Sequence, residues 1–355
     1  MLKLLNYDEK IHSRKLYEEA FPEDSERFID YYYTEKIKYN KIVADIEREN
    51  DAQGSTIPEI KAMLHLNPYR IKFGDTEFEA AYIVAVATAL KYRRQGLMRG
   101  LLKYAFKLLY KKNMPFTFLL PANPAYYEPF GFTFISKYIG TSLKKDIRLS
   151  VKPYNNSCLA ELADFMNKRL SQISDIYCIR DEEYIKRLII EIESEDGMIE
   201  LLMSADKVLS GYRIFWGIQK REDREFLCSS DCADLVYTDK PYMMGRIIKL
   251  DEFVKQISLE DNVSEDCIKV DICIKDDLIS ENNGSFVWNI SKSGSFIKRK
   301  ENKICDISRN EKCPVFTIDE MAAWLFGYKK PADYYKYEFC KKVKCLKKMY
   351  VNEVV

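Results

Sequence analysis

The sequence predicts an α/β fold repeated over three units. Helix and strand signals alternate through the first third of the chain. The run over residues 78–90 is rich in Val, Ile and Ala, too continuous for a half-exposed strand and suited to the centre of a sheet. The same alternation restarts near residue 142 and again near 244. A chain of 355 residues is also long for a single core, which favours two or three domains.

Residues 12–21 and 25–36 read as helices, the second capped by Asp24 or Ser25. Residues 41–46 and 60–66 read as strands and 78–90 as the core strand. Leu97, Met98, Leu101, Leu102, Ala105, Leu108 and Leu109 recur at helical spacing, with Asn113 and Pro115 as the stop. Residues 116–120 return as a strand. In the second unit Ser157 is placed to cap a helix through Leu170 and Asp181 another through Ile192, and residues 198–203 and 208–217 read as strands. The third opens with a strand at Met244 and a short helix from Asp251, then alternates through Ile268, Val270, Ile272 and Ile274. Asn283-Gly284 signals a hairpin turn before residues 286–290, and Thr317 with Glu320 forms a capping box for a helix ending near Gly327. The boundaries fall near residues 143 and 242.

Bulk composition narrows the function. Lys plus Arg (56) balances Asp plus Glu (55), so no global field favours nucleic acid or an anionic membrane. No run approaches the ~18 apolar residues of a membrane span. Ten cysteines are scattered without a CxxC, beside two histidines, His12 and His65, and the first residues carry no signal-peptide hydrophobic stretch. A soluble cytoplasmic protein without a bound metal is expected, with Cys228 and Cys232 as the nearest metal-like pair.

Chemistry concentrates where the core strand meets the next helix. The turn Arg93-Arg94-Gln95-Gly96 precedes helical N–H groups that have no intrahelical acceptor, an arrangement suited to phosphate. Gly96 lets backbone approach an anion and the arginines neutralise it, although basic residues at such a junction are also ordinary solvated turns. The stretch resembles motif A of the GNAT superfamily, matched at Arg93 and Gly96, while Met98 stands where that pattern has a small residue. With RRQGLMRGLL and the later YYEPFGF, it resembles the Eis (enhanced intracellular survival) acetyltransferases more narrowly.

That resemblance implies tandem GNAT-like domains with a C-terminal sterol-carrier-protein-like domain: a catalytic domain over 1–143, a degenerate GNAT-like domain over 144–242 and the sterol-carrier-like domain over 243–355. It implies acetyl-CoA as cosubstrate, held by Val84, Ala85 and Val86 along the pantetheine arm and by Arg93, Arg94, Gln95, Gly96, Leu97, Met98 and Arg99 at the pyrophosphate, with Asn123 nearby. A β-bulge near Ala85 is implied, splaying the strand from its neighbour. Tyr127 stands at the position of the general acid, and the carboxylate of Val355 at that of the general base. The likeness further implies a homo-oligomer, a trimer or hexamer.

Acyl transfer from a thioester to an amine needs a neutral amine, a stabilised oxyanion and a proton for the departing thiolate. The Val84 amide is the expected oxyanion donor. For the acceptor, Phe21, Glu23, Asp24 and Tyr32 combine carboxylates with aromatic faces suited to an aminoglycoside-, polyamine- or lysine-like amine, with Ile83 and Glu353 added to the same cleft. Acidic residues at a helix start are also ordinary caps. The competing reading is a non-catalytic acyl-CoA or lipid-binding protein dominated by the third domain.

Overall fold

A computed structural model describes the chain except residues 51–55, 156, 219, 301–312, 330–336, 347–348 and 354–355. The first stretch runs β1 (Leu2–Leu4), α1 (Arg14–Ala20), α2 (Glu26–Thr34), β2 (Lys41–Asn50), β3 (Thr56–Phe73), β4 (Thr76–Thr88), α3 (Leu97–Lys111), β5 (Phe116–Leu119) and β6 (Thr133–Phe134). The second contains β7 (Lys137–Leu143), β8 (Ser150–Pro153), α4 (Leu159–Ile173), β9 (Ile176–Cys178), α5 (Glu182–Glu193), β10 (Met198–Met203), β11 (Leu209–Trp216), β12 (Glu222–Cys228) and β13 (Ala233–Pro241). The third contains β14 (Met244–Ile247), α6 (Leu250–Phe253), β15 (Ser258–Leu259), β16 (Cys267–Lys275), β17 (Gly284–Ser291), β18 (Gly294–Arg299), β19 (Val315–Thr317), α7 (Ile318–Leu325), β20 (Val343–Lys344) and β21 (Met349–Tyr350). The α/β architecture is the expected one. Among the described residues no helix is long and apolar enough to cross a membrane.

A nine-stranded sheet organises the molecule in the order β1-β2-β3-β4-β5-β14-β6, with β9 added to β3 and β21 added to β9. Its centre is the β3–β4 hairpin, longer than the two separate strands the sequence suggests. Helices cover both faces, as a two-sided apolar sheet requires. On one face α3 buries Leu101, Leu102, Ala105, Phe106 and Leu109. On the other, α1 and α2 contribute Tyr17, Phe28, Tyr31, Tyr32 and Tyr33 to a cluster with Ile42, Ala44, Met63 and Ala85.

The sheet draws on all three stretches. β14 begins just beyond residue 242, yet it pairs with β5 (Ile247 opposite Phe116) and β6 (Met244 opposite Phe134). β9 pairs with residues 71–73 of β3, and β21 runs parallel to β9 with Met349 opposite Ile176. Smaller sheets complete the fold: β12-β11-β10-β8, the β7–β13 ribbon, β15–β20 and β18-β17-β16-β19.

Local helix signals translate well. Ser25 accepts from the Phe28 amide at 3.1 Å and Asp181 from the Tyr184 amide at 2.7 Å. The Thr317–Glu320 capping box is present. Ser157 is the exception: Cys158 takes the N-cap position of α4 without a side-chain bond, while Ser157 Oγ is turned to Asn155. The tight hairpin also falls elsewhere, at residues 291–294 between β17 and β18, whereas a longer loop containing Asn283 joins β16 to β17. Cys228 and Cys232 are buried with Leu202 and Ala233 in a small cluster.

Candidate active site

The cleft begins with a defect in strand pairing. β4 meets β5 in a single pairing, Tyr82 opposite Phe118, whose rings stack 5.3 Å apart. On the other edge Ala87 lies opposite Met63 but Val84 lies opposite His65, so β4 takes three steps where β3 takes two. The extra residue is a bulge, and Ala85 in it has φ of +50°. A bulge bends its strand and raises its twist, which carries β4 away from β5 beyond Tyr82. The bulge implied near Ala85 is therefore present, flanked by Val84 and Val86.

β4 then leads through Arg93-Arg94-Gln95-Gly96 into α3, whose N-cap is Gly96 at φ +77°. A Cβ at Gly96 would meet no atom within 4 Å, so glycine answers a backbone requirement there and leaves the approach open. No side chain caps α3 and its first turn holds no acid, leaving the first amides without a protein acceptor among the side chains described. Arg93, Arg94, Gln95 and Arg99 are exposed around this end. Arg93 Nε donates to the Thr88 carbonyl at 3.2 Å, which holds that side chain against the strand end. Leu97 and Met98 are half-buried and pack on the core, so Met98 helps seat the helix. Positive helix terminus, free amides and arginines together suit a pyrophosphate.

After β5, Asn123 accepts from the Ala125 amide at 3.0 Å and starts two short 3-10 turns, 124–126 and 128–130. Tyr127 sits between them. Its ring meets Phe132 edge-on at 5.9 Å, and Phe132 lies 5.9 Å from Phe106 of α3. Burial pushes the Tyr127 phenol up to about 12, so it is a protonated donor at neutral pH.

Arg246 of β14 holds this loop, a role the sequence reading did not assign. Its guanidinium is 1% exposed, donates to the Phe130 carbonyl at 2.8 Å and to Asp276 at 2.6 Å, and stands 4.7 Å from the centre of the Phe106 ring. Gly131, at φ +74°, is required beside it: a Cβ there would come within 1.9 Å of Arg246 Nη1. The available signal was one arginine inside the apolar strand MMGRII.

The expected acceptor residues do not assemble into one cleft. Phe21, Glu23 and Asp24 share the α1–α2 junction, where Tyr17 donates to Asp24 at 2.8 Å. Burial raises the Asp24 carboxyl despite that bond, and Glu23 and Glu195 raise it further. Tyr32 is corrected to a core residue: it is fully buried, bonded to His65 Nδ1 at 3.0 Å and Asn67 Oδ1 at 3.2 Å. The inward side of α2 carries three successive tyrosines, and the structure turns all of them into the core. Ile83 is likewise 2% exposed, and strand alternation sends it to the face opposite Tyr82 and Val84. Glu353 is fully buried, accepting from Tyr184 at 2.9 Å and facing Arg180 at 2.9 Å, apart from Glu23 and Asp24. Val355 lies outside the described residues.

Between β3, α5 and the C-terminal stretch lies a cavity of about 190 Å³, lined among others by Asn67, Tyr69, Arg187, Glu191, Arg224 and Glu353. Burial would raise the Glu191 carboxyl, but Lys36 and Arg224 outweigh it and hold it down to about 2. No sequence motif marks this cavity, because its walls come from well-separated stretches between residues 36 and 353.

Residues 3–135 match an acetyltransferase (GNAT) domain and residues 250–346 a sterol carrier protein domain. No curated protein matches the chain. Among solved structures it is similar to a conserved protein of unknown function from Enterococcus faecalis V583, a probable N-acyltransferase (TM-score 0.74, 12% identity, 99% of each chain). It is similar to a GCN5-related N-acetyltransferase from Kribbella flavida (TM-score 0.72, 12% identity, 100% of this chain and 98% of that one). A third likeness is to Eis1 from Mycobacterium abscessus (TM-score 0.63, 10% identity, 97% and 93%). At these identities the likeness is one of fold.

Proposed function

We propose, from the premise that the chain is an acetyltransferase with a GNAT domain over residues 3–135, that it moves the acetyl group of acetyl-CoA to a primary amine by direct transfer. The observation that carries this reading is the split of β4 from β5 at the Ala85 bulge, continuous with the uncapped, arginine-flanked start of α3. The α3 amides with Arg93, Arg94, Gln95 and Arg99 would hold the pyrophosphate, and the backbone of residues 84–86 the pantetheine arm.

In the reaction the amine nitrogen attacks the thioester carbonyl carbon, the Val84 amide supports the oxyanion, and the C–S bond breaks as the carbonyl re-forms. Tyr127 gives its proton to the departing thiolate, and the Val355 carboxylate takes the proton the amine loses. The Tyr127 phenol carries its proton at neutral pH, as a donor to the thiolate must, while burial makes it a weaker acid than a free tyrosine. Glu23 and Asp24, which have no Lys or Arg partner among the described residues, support an aminoglycoside-, polyamine- or lysine-like acceptor.

Thiol release from acetyl-CoA across a panel of amines tests the assignment. Tyr127→Phe is expected to lower kcat by about 10²–10⁴-fold with little change in the acetyl-CoA KM, and a short C-terminal extension to lower it as well. Wild-type turnover in both variants would overturn the proton assignments. Absence of turnover with every amine, with acetyl-CoA still bound, would favour a non-catalytic acyl-CoA-binding role.

A further inference from the structure

The charges around the 190 Å³ cavity are unequally paired. Its lining carboxylates all have basic partners. Glu191 is bonded to Lys36 at 2.7 Å and to Arg224; Asp181 meets Arg70 at 3.0 Å; Glu353 meets Arg180 at 2.9 Å; Glu79 lies 3.6 Å from Lys112. One lining cation remains. Arg187, half-buried on α5, stacks over the Tyr39 ring at 5.3 Å and has no carboxylate partner among the described residues. Among the described residues Arg187 is therefore the lining cation free to pair with an anionic group on a ligand.

A second observation points the same way. Asn67 lines the cavity and is 1% exposed; its Oδ1 accepts from Tyr32, but its Nδ2 has no partner. A buried amide N–H without an acceptor is costly, and a ligand that supplies an acceptor atom relieves it.

The cavity also adjoins the chemistry. Asn67 pairs across the sheet with Tyr82, the β4 residue that makes the single pairing to β5, so the cavity floor is about one strand spacing, ~4.8 Å, from the split. The rings of Tyr69 and Tyr82 stand 6.2 Å apart along that path. The volume is on the scale of a small metabolite and below the several hundred Å³ of drug-sized sites.

We propose that this cavity is an acceptor subsite and that the acceptor is an amine bearing its own carboxylate, of the amino-acid class, with the carboxylate on Arg187, an acceptor atom on Asn67 Nδ2 and the amine directed toward the β4–β5 split. The inference rests on acetyl transfer to an amine as the activity and narrows the class of amine. Arg187 is then a specificity residue that touches the substrate away from the reacting atoms.

The test uses matched pairs that differ only in the carboxylate: 5-aminopentanoate against pentylamine, and L-lysine against 1,5-diaminopentane. With the full-length chain, kcat/KM for thiol release is expected to favour the carboxylate member by about 10- to 100-fold, mostly through KM. Arg187→Gln should abolish that preference and Arg187→Glu reverse it toward the diamine. Pentylamine used as well as 5-aminopentanoate by the wild type, or a preference that survives in Arg187→Gln, would overturn the proposal. Calorimetric binding of the same pairs in the presence of CoA separates the two readings. If no amine is acetylated but 5-aminopentanoate binds in an Arg187-dependent way, the subsite stands and acetyl transfer fails. Equal binding of both members sinks the subsite whatever the turnover.

Discussion

His65 is fully buried on β3, its Nδ1 held by the Tyr32 hydroxyl at 3.0 Å, and burial with nearby Lys10 holds its pKa down to about 3. In the folded chain it is neutral; in the unfolded chain it titrates near its ordinary value of about 6.5. The unfolded state thus takes up the proton first, so the contribution is full above pH ~6.5 and is lost as pH falls toward 3, at about 1.4 kcal/mol per unit. Urea melts at pH 7 and pH 5 should show this loss in the wild type, and His65→Gln should flatten it by that amount. An unchanged pH slope in His65→Gln would refute the assignment. Tyr32 belongs to the same hydrogen-bonded group, which is why a tyrosine that looks like an acceptor contact on paper is a packing residue.

At the level of elements, β4 and α3 act as one device: the bulge opens the cleft and the helix start presents its amides. Arg93 and Arg94 are exposed, so their contribution to an anionic ligand is electrostatic and screened by salt. Arg93→Gln with Arg94→Gln is expected to raise the acetyl-CoA KM by about 10- to 100-fold, with kcat nearly constant and a weaker salt dependence than the wild type. A fall in kcat without a change in KM would contradict the assignment. Much of this element was legible, because an apolar run, a basic turn with glycine and a 3.6-residue repeat are all encoded within about thirty residues. The caps at Ser25, Asp181 and Thr317 were legible for the same reason. Ser157 was not, since its hydroxyl had a competing partner two residues away in Asn155.

Across the whole molecule, a buried ion network joins the first and second stretches to the C-terminal one. Arg180 stands between Glu225 (3.1 Å) and Glu353 (2.9 Å), and Arg224 and Lys36 between them hold Glu191. Arg180, Glu225 and Glu353 are each nearly inaccessible to solvent, so removing one partner strands the others as uncompensated buried charge. Arg180→Met should destabilise the chain by roughly 3–5 kcal/mol, and adding Glu353→Gln should restore part of that loss. Additive effects of the two substitutions in denaturant melts would show that they are not coupled. The network also ties the last described residues to β9 and α5, beside the cavity.

What the sequence by itself determined about this protein is local: the α/β alternation, the central position of β4 and the turn into α3, each set by propensity, periodicity and capping among near neighbours. The tertiary structure alone decided the register slip at Ala85, the burial of Tyr32 and Ile83, the Arg246 clamp on residues 130 and 131, and the entry of β14 into the first sheet. It alone also decided which carboxylates around the cavity are neutralised and which cation is left over. These depend on partners tens to hundreds of residues away, and the charge a site presents is the sum over those partners, which no stretch of chain carries in itself.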